Sequence, residues 1–255
     1  MLKRTKEILK EKVIIYFAED IFTFDARHRF KKYIKPNESI LDVGAGSSPF
    51  TKGLKNKVTA IDIPPEDNQF GFSEKTLGKL RARSNIEARI MDAQKLDISD
   101  EQFDVVIMSE VLEHIRDDHA AANEIVRVLK PGGFLLLTVP HLKRVPLESG
   151  IKEHLRHYTM DDLIGLFGDE KIVLMRDRFK FNEIVWGSYF ILKYNQTKNI
   201  GYLIFLPYEA ILKLLLTFIW LPLSEKIFPN VPGYNLIMIM QKRCNKEENN
   251  ELSNN

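Results

Sequence analysis

The stretch ILDVGAGSSPF, Ile40 to Phe50, decides how the rest of the chain is read. Ile40, Leu41 and Val43 have the apolar character of a strand buried on both faces, and Gly44 and Gly46 follow at once, where the chain must turn sharply. Glycine has no Cβ and lets a backbone come close to a ligand. Ser47-Ser48-Pro49 then suits an N-cap with proline in the first helical turn, so a helix is expected to start there. Its N–H groups and positive dipole end would point toward an anionic or polar ligand group beside the loop.

Working outward toward the C-terminus, Lys57 to Asp62 (KVTAID) reads as a second strand that ends on a carboxylate eighteen residues beyond Gly44. Pro64 and Pro65 prevent an immediate helix, and the polar segment from Glu66 to Arg83 reads as a loop with at most a short helix. Ile86 to Met91 is a third strand running into Asp92, and Phe103 to Met108 a fourth running into Ser109-Glu110. Asp117 to Leu129 is helical by period, with Ala121, Ile125, Val128 and Leu129 on one face, and Pro131-Gly132-Gly133 is expected to end it. A fifth strand, Phe134 to Val139, follows directly. Thr159 opens a capped helix with Asp162 at the capping-box position, and Lys171 to Phe181 is a sixth strand. Strands alternating with helices or helix-length loops imply a parallel sheet of βαβ units.

The two flanks differ from this core. Residues 1–35 carry apolar positions at helical spacing and are read as two or three N-terminal helices before a core of residues 36–181. Residues 182–233 are apolar and aromatic with helical spacing, an insertion before the last core strand at 234–243. The tail, residues 244–255, is polar and asparagine-rich and is expected to be disordered.

Composition bounds the function. A chain of 255 residues can hold one domain with an appendage, the favoured reading, or two domains. A net charge of +2 with 44% hydrophobic residues gives no electrostatic footprint of a nucleic-acid binder, so no nucleic-acid partner is expected. The single cysteine, Cys244, excludes an internal disulfide framework and a Cys-based zinc cluster. A reducing, cytoplasmic setting fits, with membrane association left open. The N-terminal MLKRTKEILKEKVIIYFAED lacks the apolar core and cleavage site of a signal peptide and reads as an amphipathic helix.

A Gly-x-Gly turn after the first strand serves dinucleotides and S-adenosylmethionine (SAM) alike, but dinucleotide folds add a third glycine where this chain has Pro49. Taken with KVTAID, MDA at 91–93, FDVVIMSEVLEHI and LKPGGFLLLTVPH, the turn resembles that of the class I SAM-dependent methyltransferases. The likeness is to the small-molecule, type 11-like branch that includes quinone-biosynthesis enzymes, over residues 36–180 and the last strand. It implies an α/β, Rossmann-like sheet of seven mostly parallel strands in the order 3-2-1-4-5-7-6. The last strand would be antiparallel, with helices on both faces. It implies SAM as cofactor and transfer of a methyl group to a small-molecule or lipid-linked acceptor. The alternative is a non-catalytic SAM-binding regulatory or scaffolding protein.

The same resemblance suggests a role for each motif. Asp62 would accept both ribose hydroxyls, a contact one carboxylate makes well. Gly44, Ala45 and Gly46 would line the methionine half, with Asp42 toward its ammonium or, alternatively, capping local backbone. Asp92 would accept from the adenine amino group, with Ala93 beside it and Ile63 packing on the ring. Glu110 and His114 would lie near cofactor or substrate, and His141 and His157, with His154 and Tyr158 in EHLRHYT, fall where the family builds acceptor pockets. A histidine could take a proton from a hydroxyl acceptor, and a structural, backbone-bonded histidine is the other reading at each. No Asn-Pro-Pro-Tyr or Asp-Pro-Pro-Tyr follows the fourth strand, so the resemblance does not extend to enzymes that methylate amino groups of nucleic-acid bases. No metal is expected, because EHLRH is a forced ligand set and SAM is already activated by its positive sulfur.

The most apolar run is Gly201 to Leu223, GYLIFLPYEAILKLLLTFIWLPL. Its length suits a bilayer, but Glu209 and Lys213 near its middle and Pro207 and Pro222 count against spanning. Extra core packed on the sheet, a lid that touches a membrane surface, and a spanning anchor are the three readings carried forward.

Overall fold

The computed structural model describes residues 21–64, 71–143, 154–168, 170–178, 211, 215–227, 233 and 235–244. The chain divides into two compact units, residues 1–29 with 178–233, and residues 30–177 with 234–255. In the first, helix α1 (Ile21–Phe30) carries an Asp25–Arg29 ion pair one turn apart, and the His28 and Phe218 rings meet edge to face. The readings made for residues 1–20, for most of the apolar insertion and for the tail beyond Cys244 lie outside the described residues.

The second unit is built on a sheet. Its strands are β1 (Ile40–Val43), β2 (Val58–Asp62), β3 (Ile86–Ile90), β4 (Phe103–Ser109), β5 (Leu129–Pro140), β6 (Lys171–Arg178) and β7 (Asn235–Gln241). Their order is β3-β2-β1-β4-β5-β7-β6, as the resemblance implied. The pairs β1–β2, β1–β4, β2–β3 and β4–β5 are parallel, and β7 runs antiparallel to β5. All four residues of β1 are buried, which explains why its sequence shows no polar alternation at Ile40-Leu41.

Helices close on the sheet from named faces. Leu41, Val43, Val106, Met108, Leu135, Leu137, Leu236 and Met238 form one core with Ala121, Ala122, Ile125 and Val128 of α3 (Asp118–Val128) and Leu163 and Phe167 of α4 (Met160–Phe167). Asp117 caps α3 by accepting from the Ala120 N–H. Thr159 and Asp162 complete the expected capping box at α4. An earlier helix, α2 (Glu74–Arg81), is capped by Ser73 and packs against β3, within the polar segment expected to be mostly loop. In the first unit, Leu216–Trp220 forms a π turn that leads into α5 (Leu221–Ile227).

Two local expectations are corrected. No helix follows Pro49: residues 49–53 form turns, joined by the Lys52 N–H to Pro49 O bond at 3.4 Å and the Leu54 N–H to Thr51 O bond at 3.1 Å. Gly53, at φ +79, takes a left-handed conformation that ends any helix after one turn. Pro131-Gly132-Gly133 is also no loop between helix and strand. Leu129 pairs with Phe103, the register shifts, and Phe134 then pairs with Val105, so the triplet is a bulge inside β5. A Cβ on Gly133 would meet the Asp104 and Lys130 carbonyl oxygens at 2.9 Å, which reserves the position for glycine.

Candidate functional site

The carboxyl ends of β1, β2, β3 and β4 share one edge of the sheet. β1 has β2 on one side and β4 on the other, and this change in strand order is where open α/β sheets receive ligands. The glycine loop leaves β1 at that point. Gly44 and Gly46 have φ +60 and +48, and the Ala45 N–H bonds Ile61 O at 3.0 Å, tying the loop to β2. A Cβ on Gly44 would sit 2.3 Å from Cγ2 of Val111, so that glycine is required by a packed side chain arriving from beyond β4. A Cβ on Gly46 would meet nothing within 4 Å, which identifies the open side of the loop.

Asp62 lies next to that open position. Its Oδ2 accepts from the Gly46 N–H at 2.9 Å and its Oδ1 from the Ile63 N–H at 2.9 Å. The carboxylate is thereby fixed, yet two of its four lone-pair directions stay available. Burial raises its pKa, and the two backbone N–H groups oppose the rise. Ile63, 37% exposed, offers an apolar surface beside it. The Met91 N–H bonds Asp62 O at 2.9 Å, which brings the end of β3 and Asp92 to the same edge. Asp92 is exposed and accepts from Gln94, whose N–H lies 2.9 Å from Oδ1, while Ala93 is buried in the core.

Asp42 sits differently from Asp62. It is 3% exposed, and its carboxylate accepts from the Ser48 hydroxyl, which also bonds the Thr51 hydroxyl. Arg83 donates from Nη2 to Thr51 O at 3.0 Å. Burial first, then the charge of Asp62, push the Asp42 carboxyl up to about 7 against the Ser48 bond and Arg83. Ser48 holds φ +53, a left-handed conformation for a residue with a Cβ, secured by these bonds. Asp42 thus anchors the underside of the loop.

On the other side of the edge, Glu110 follows β4 at φ +53 and accepts from Asn235 Nδ2 at 3.0 Å. Leu112–His114 then makes one 3-10 turn that buries Glu113 completely while His114 stays half-buried. The segment His154 to Tyr158 is stitched onto this turn. The Leu155 N–H bonds Glu113 O at 2.8 Å, Arg156 pairs with Asp118 at 2.6 Å, and the Tyr158 hydroxyl donates to Leu112 O at 3.2 Å and Asp118 Oδ2 at 3.1 Å. Burial works against the Asp118 charge, but the Arg156 and Tyr158 hydrogen bonds outweigh it and hold the carboxyl below its usual range. Burial, then Asp118, push the Tyr158 hydroxyl above its usual range, so it remains a donor.

This stitching gathers most of the expected histidines. His154 Nδ1 lies 2.7 Å from His157 Nε2, and the His114 and His154 rings meet edge to face at 4.8 Å. His141 is buried and joined to Tyr158 through a parallel bridge. A cavity of about 590 Å³ beside this segment is lined by Asp118, Arg156, His157, Tyr158, Asp161 and Gly165. The sequence reading missed Glu113. Neither of its carboxylate oxygens has a hydrogen-bond partner among the described residues. Burial first, then the Glu110 charge, raise its pKa well above the carboxylate range. The adjacent Glu-His pair of LEHI, set against EHLRH, was the available signal.

Comparison with known proteins agrees with this geometry. Residues 41–137 match the model of the methyltransferase domain family. An uncharacterised methyltransferase of Schizosaccharomyces pombe is 34% identical over 112 residues, which are 41% of this chain and 40% of that protein. A ubiquinone biosynthesis O-methyltransferase of Xanthomonas campestris pv. campestris is 32% identical over 117 residues, 44% of this chain and 46% of that protein. The chain spans less than half the length of these two relatives. The solved structure of a phosphoethanolamine N-methyltransferase from Haemonchus contortus in complex with SAM shares the fold. Its TM-score is 0.58 at 16% identity, covering 84% of this chain and 51% of that one.

Proposed function

We propose that this chain, whose residues 41–137 are a class I SAM-dependent methyltransferase domain, moves a methyl group from SAM to a small-molecule or lipid-linked acceptor. One observation carries the reading: the Asp62 carboxylate at the end of β2 is fixed by the Gly46 and Ile63 N–H groups, next to the open Gly46 position of the glycine loop. That donor set fits SAM. Asp62 takes the ribose hydroxyls, Ile63 packs on the adenine, Asp92 accepts from its amino group, and the loop at Gly44 to Gly46 lies along the methionine half.

SAM supplies a methyl group already activated on a positively charged sulfur. The chain's own task is to hold an acceptor in line and dry, because positioning and water exclusion are most of what such a displacement needs. Proton release from a hydroxyl or amino acceptor falls to His157 or to His141, both buried and carried beside Tyr158. The similar proteins include an O- and an N-methyltransferase by name, so the acceptor atom is left to experiment.

A greasy acceptor has one supporting feature. Ile211, Leu215, Phe218, Ile219, Leu223 and Ile227 are all exposed and, apart from the adjacent Phe218-Ile219, lie three or four residues apart, a helical spacing. No described helix is long and apolar enough to cross a membrane, so contact with a lipid surface is the form this reading takes. Incubating the purified protein with methyl-labelled SAM and fractionated small-molecule and lipid extracts tests the proposal. Label appearing in one extract component supports it; SAM binding with no labelled product in any fraction would leave a non-catalytic binder instead.

A further inference from the structure

Glu113, His114 and His154 are none of the residues given to SAM above. We propose that they bind a divalent transition-metal ion through one carboxylate oxygen and two imidazole nitrogens. One such atom from each residue lies within 4.8 Å of the other two. A tetrahedral zinc site with bonds of about 2.0–2.1 Å places its ligand atoms roughly 3.4 Å apart. Binding would draw the ligand atoms together by up to about 1.4 Å over a backbone that is already pinned. The Leu155 N–H holds Glu113 O at 2.8 Å, and the His114 N–H holds Val111 O at 3.0 Å.

The chemistry of Glu113 calls for a cation. The side chain is 0% exposed, neither oxygen has a hydrogen-bond partner among the described residues, and Oε1 lies 4.0 Å from His114 Nε2. Buried carboxylates are ordinarily paired or coordinate metals. Arg156, the cation brought in on the neighbouring segment, is already paired with Asp118 at 2.6 Å.

The surroundings supply what a metal site needs beyond its ligands. His154 Nδ1 lies 2.7 Å from His157 Nε2, which orients the His154 ring. His157 is therefore a positioning residue of the kind that ligating histidines usually have. The His114 side chain is 26% exposed, which gives an entry path. Two imidazoles and one carboxylate favour zinc, iron or their neighbours over magnesium or calcium, and three protein ligands leave an open coordination position.

The test uses the full chain, stripped with a chelator and titrated with Zn²⁺ against a chromophoric competitor, alongside Co²⁺ absorption spectra. One ion per chain is expected, with tetrahedral Co²⁺ bands. Glu113→Gln and His154→Ala should each abolish stoichiometric binding. His157→Ala should weaken it by about 10–100-fold. His119→Ala, an exposed histidine outside the group, should bind as the parent does. Should Glu113→Gln fail to fold by circular dichroism, His154→Ala decides alone. Absence of stoichiometric binding by the parent, or binding unchanged in both ligand variants, overturns the proposal. SAM affinity measured in parallel keeps this outcome separate from the methyltransferase reading.

Discussion

Replacing Asp42 by asparagine should change how the stability of the protein depends on pH. The Asp42 carboxyl, 3% exposed beneath the glycine loop, titrates at about 7 in the folded chain against an ordinary 3.8. Its pKa is raised on folding, so between those two values the unfolded chain has released a proton that the folded chain still holds. Stability is then lost as pH rises, at about 1.4 kcal/mol per pH unit, and the loss levels off above the folded value. Across the whole interval it amounts to about 4 kcal/mol. Asparagine keeps the shape and can accept from Ser48, but it does not titrate. Urea unfolding of both proteins at pH 5, 6, 7 and 8 measures the difference directly, because groups common to both cancel. The stability of Asp42→Asn relative to the parent should grow by about 2–3 kcal/mol from pH 5 to pH 7 and flatten beyond. A difference independent of pH would show that Asp42 is ionised and solvated in the folded protein, and would refute the anchoring of the loop described above.

Asp62→Ala should weaken SAM binding by about 1.5–3 kcal/mol, the range for a hydrogen bond to a charged group, which calorimetry would register as roughly a 10- to 150-fold rise in Kd. An unchanged affinity in a folded variant would remove Asp62 from the site. Gly44→Ala should destabilise by about 2–6 kcal/mol, combining left-handed strain with the clash against Val111. Adding Val111→Ala should recover the clash part, about 1–3 kcal/mol, and leave the strain; strictly additive losses in the double variant would mean the two residues do not meet.

The strands were legible because buried parallel strands are written as uninterrupted apolar runs, and FDVVIM and LLLTV needed no tertiary context. The sheet order came from the motifs and their resemblance, since periodicity alone says nothing of which strand neighbours which. Two features were hidden for identifiable reasons. Ser48-Pro49 carries the local signature of a helix start, but Gly53 follows too soon for a helix to propagate. Pro131-Gly132-Gly133 has the composition of a loop, yet Leu129 finds Phe103 as a partner, and the triplet is absorbed as a bulge.

The site was legible to the same depth. Asp62 and Asp92 end their strands in the sequence itself, so their shared edge follows from parallel pairing. What the sequence could not say was which way a carboxylate faces. Asp42, one residue from the strand end, turns under the loop, and in the adjacent pair Glu113-His114 a single 3-10 turn buries the acid completely and leaves the histidine half-buried. Gly44 is further held to glycine by Val111, far along the chain, a constraint that its place in the glycine loop does not announce.

Calorimetric titration of the purified protein with SAM, S-adenosylhomocysteine and NAD tests the central claim most directly. The account predicts one site per chain for SAM and for S-adenosylhomocysteine, weakened by Asp62→Ala, and no heat with NAD. Binding of NAD alone, or SAM binding indifferent to Asp62, would contradict it.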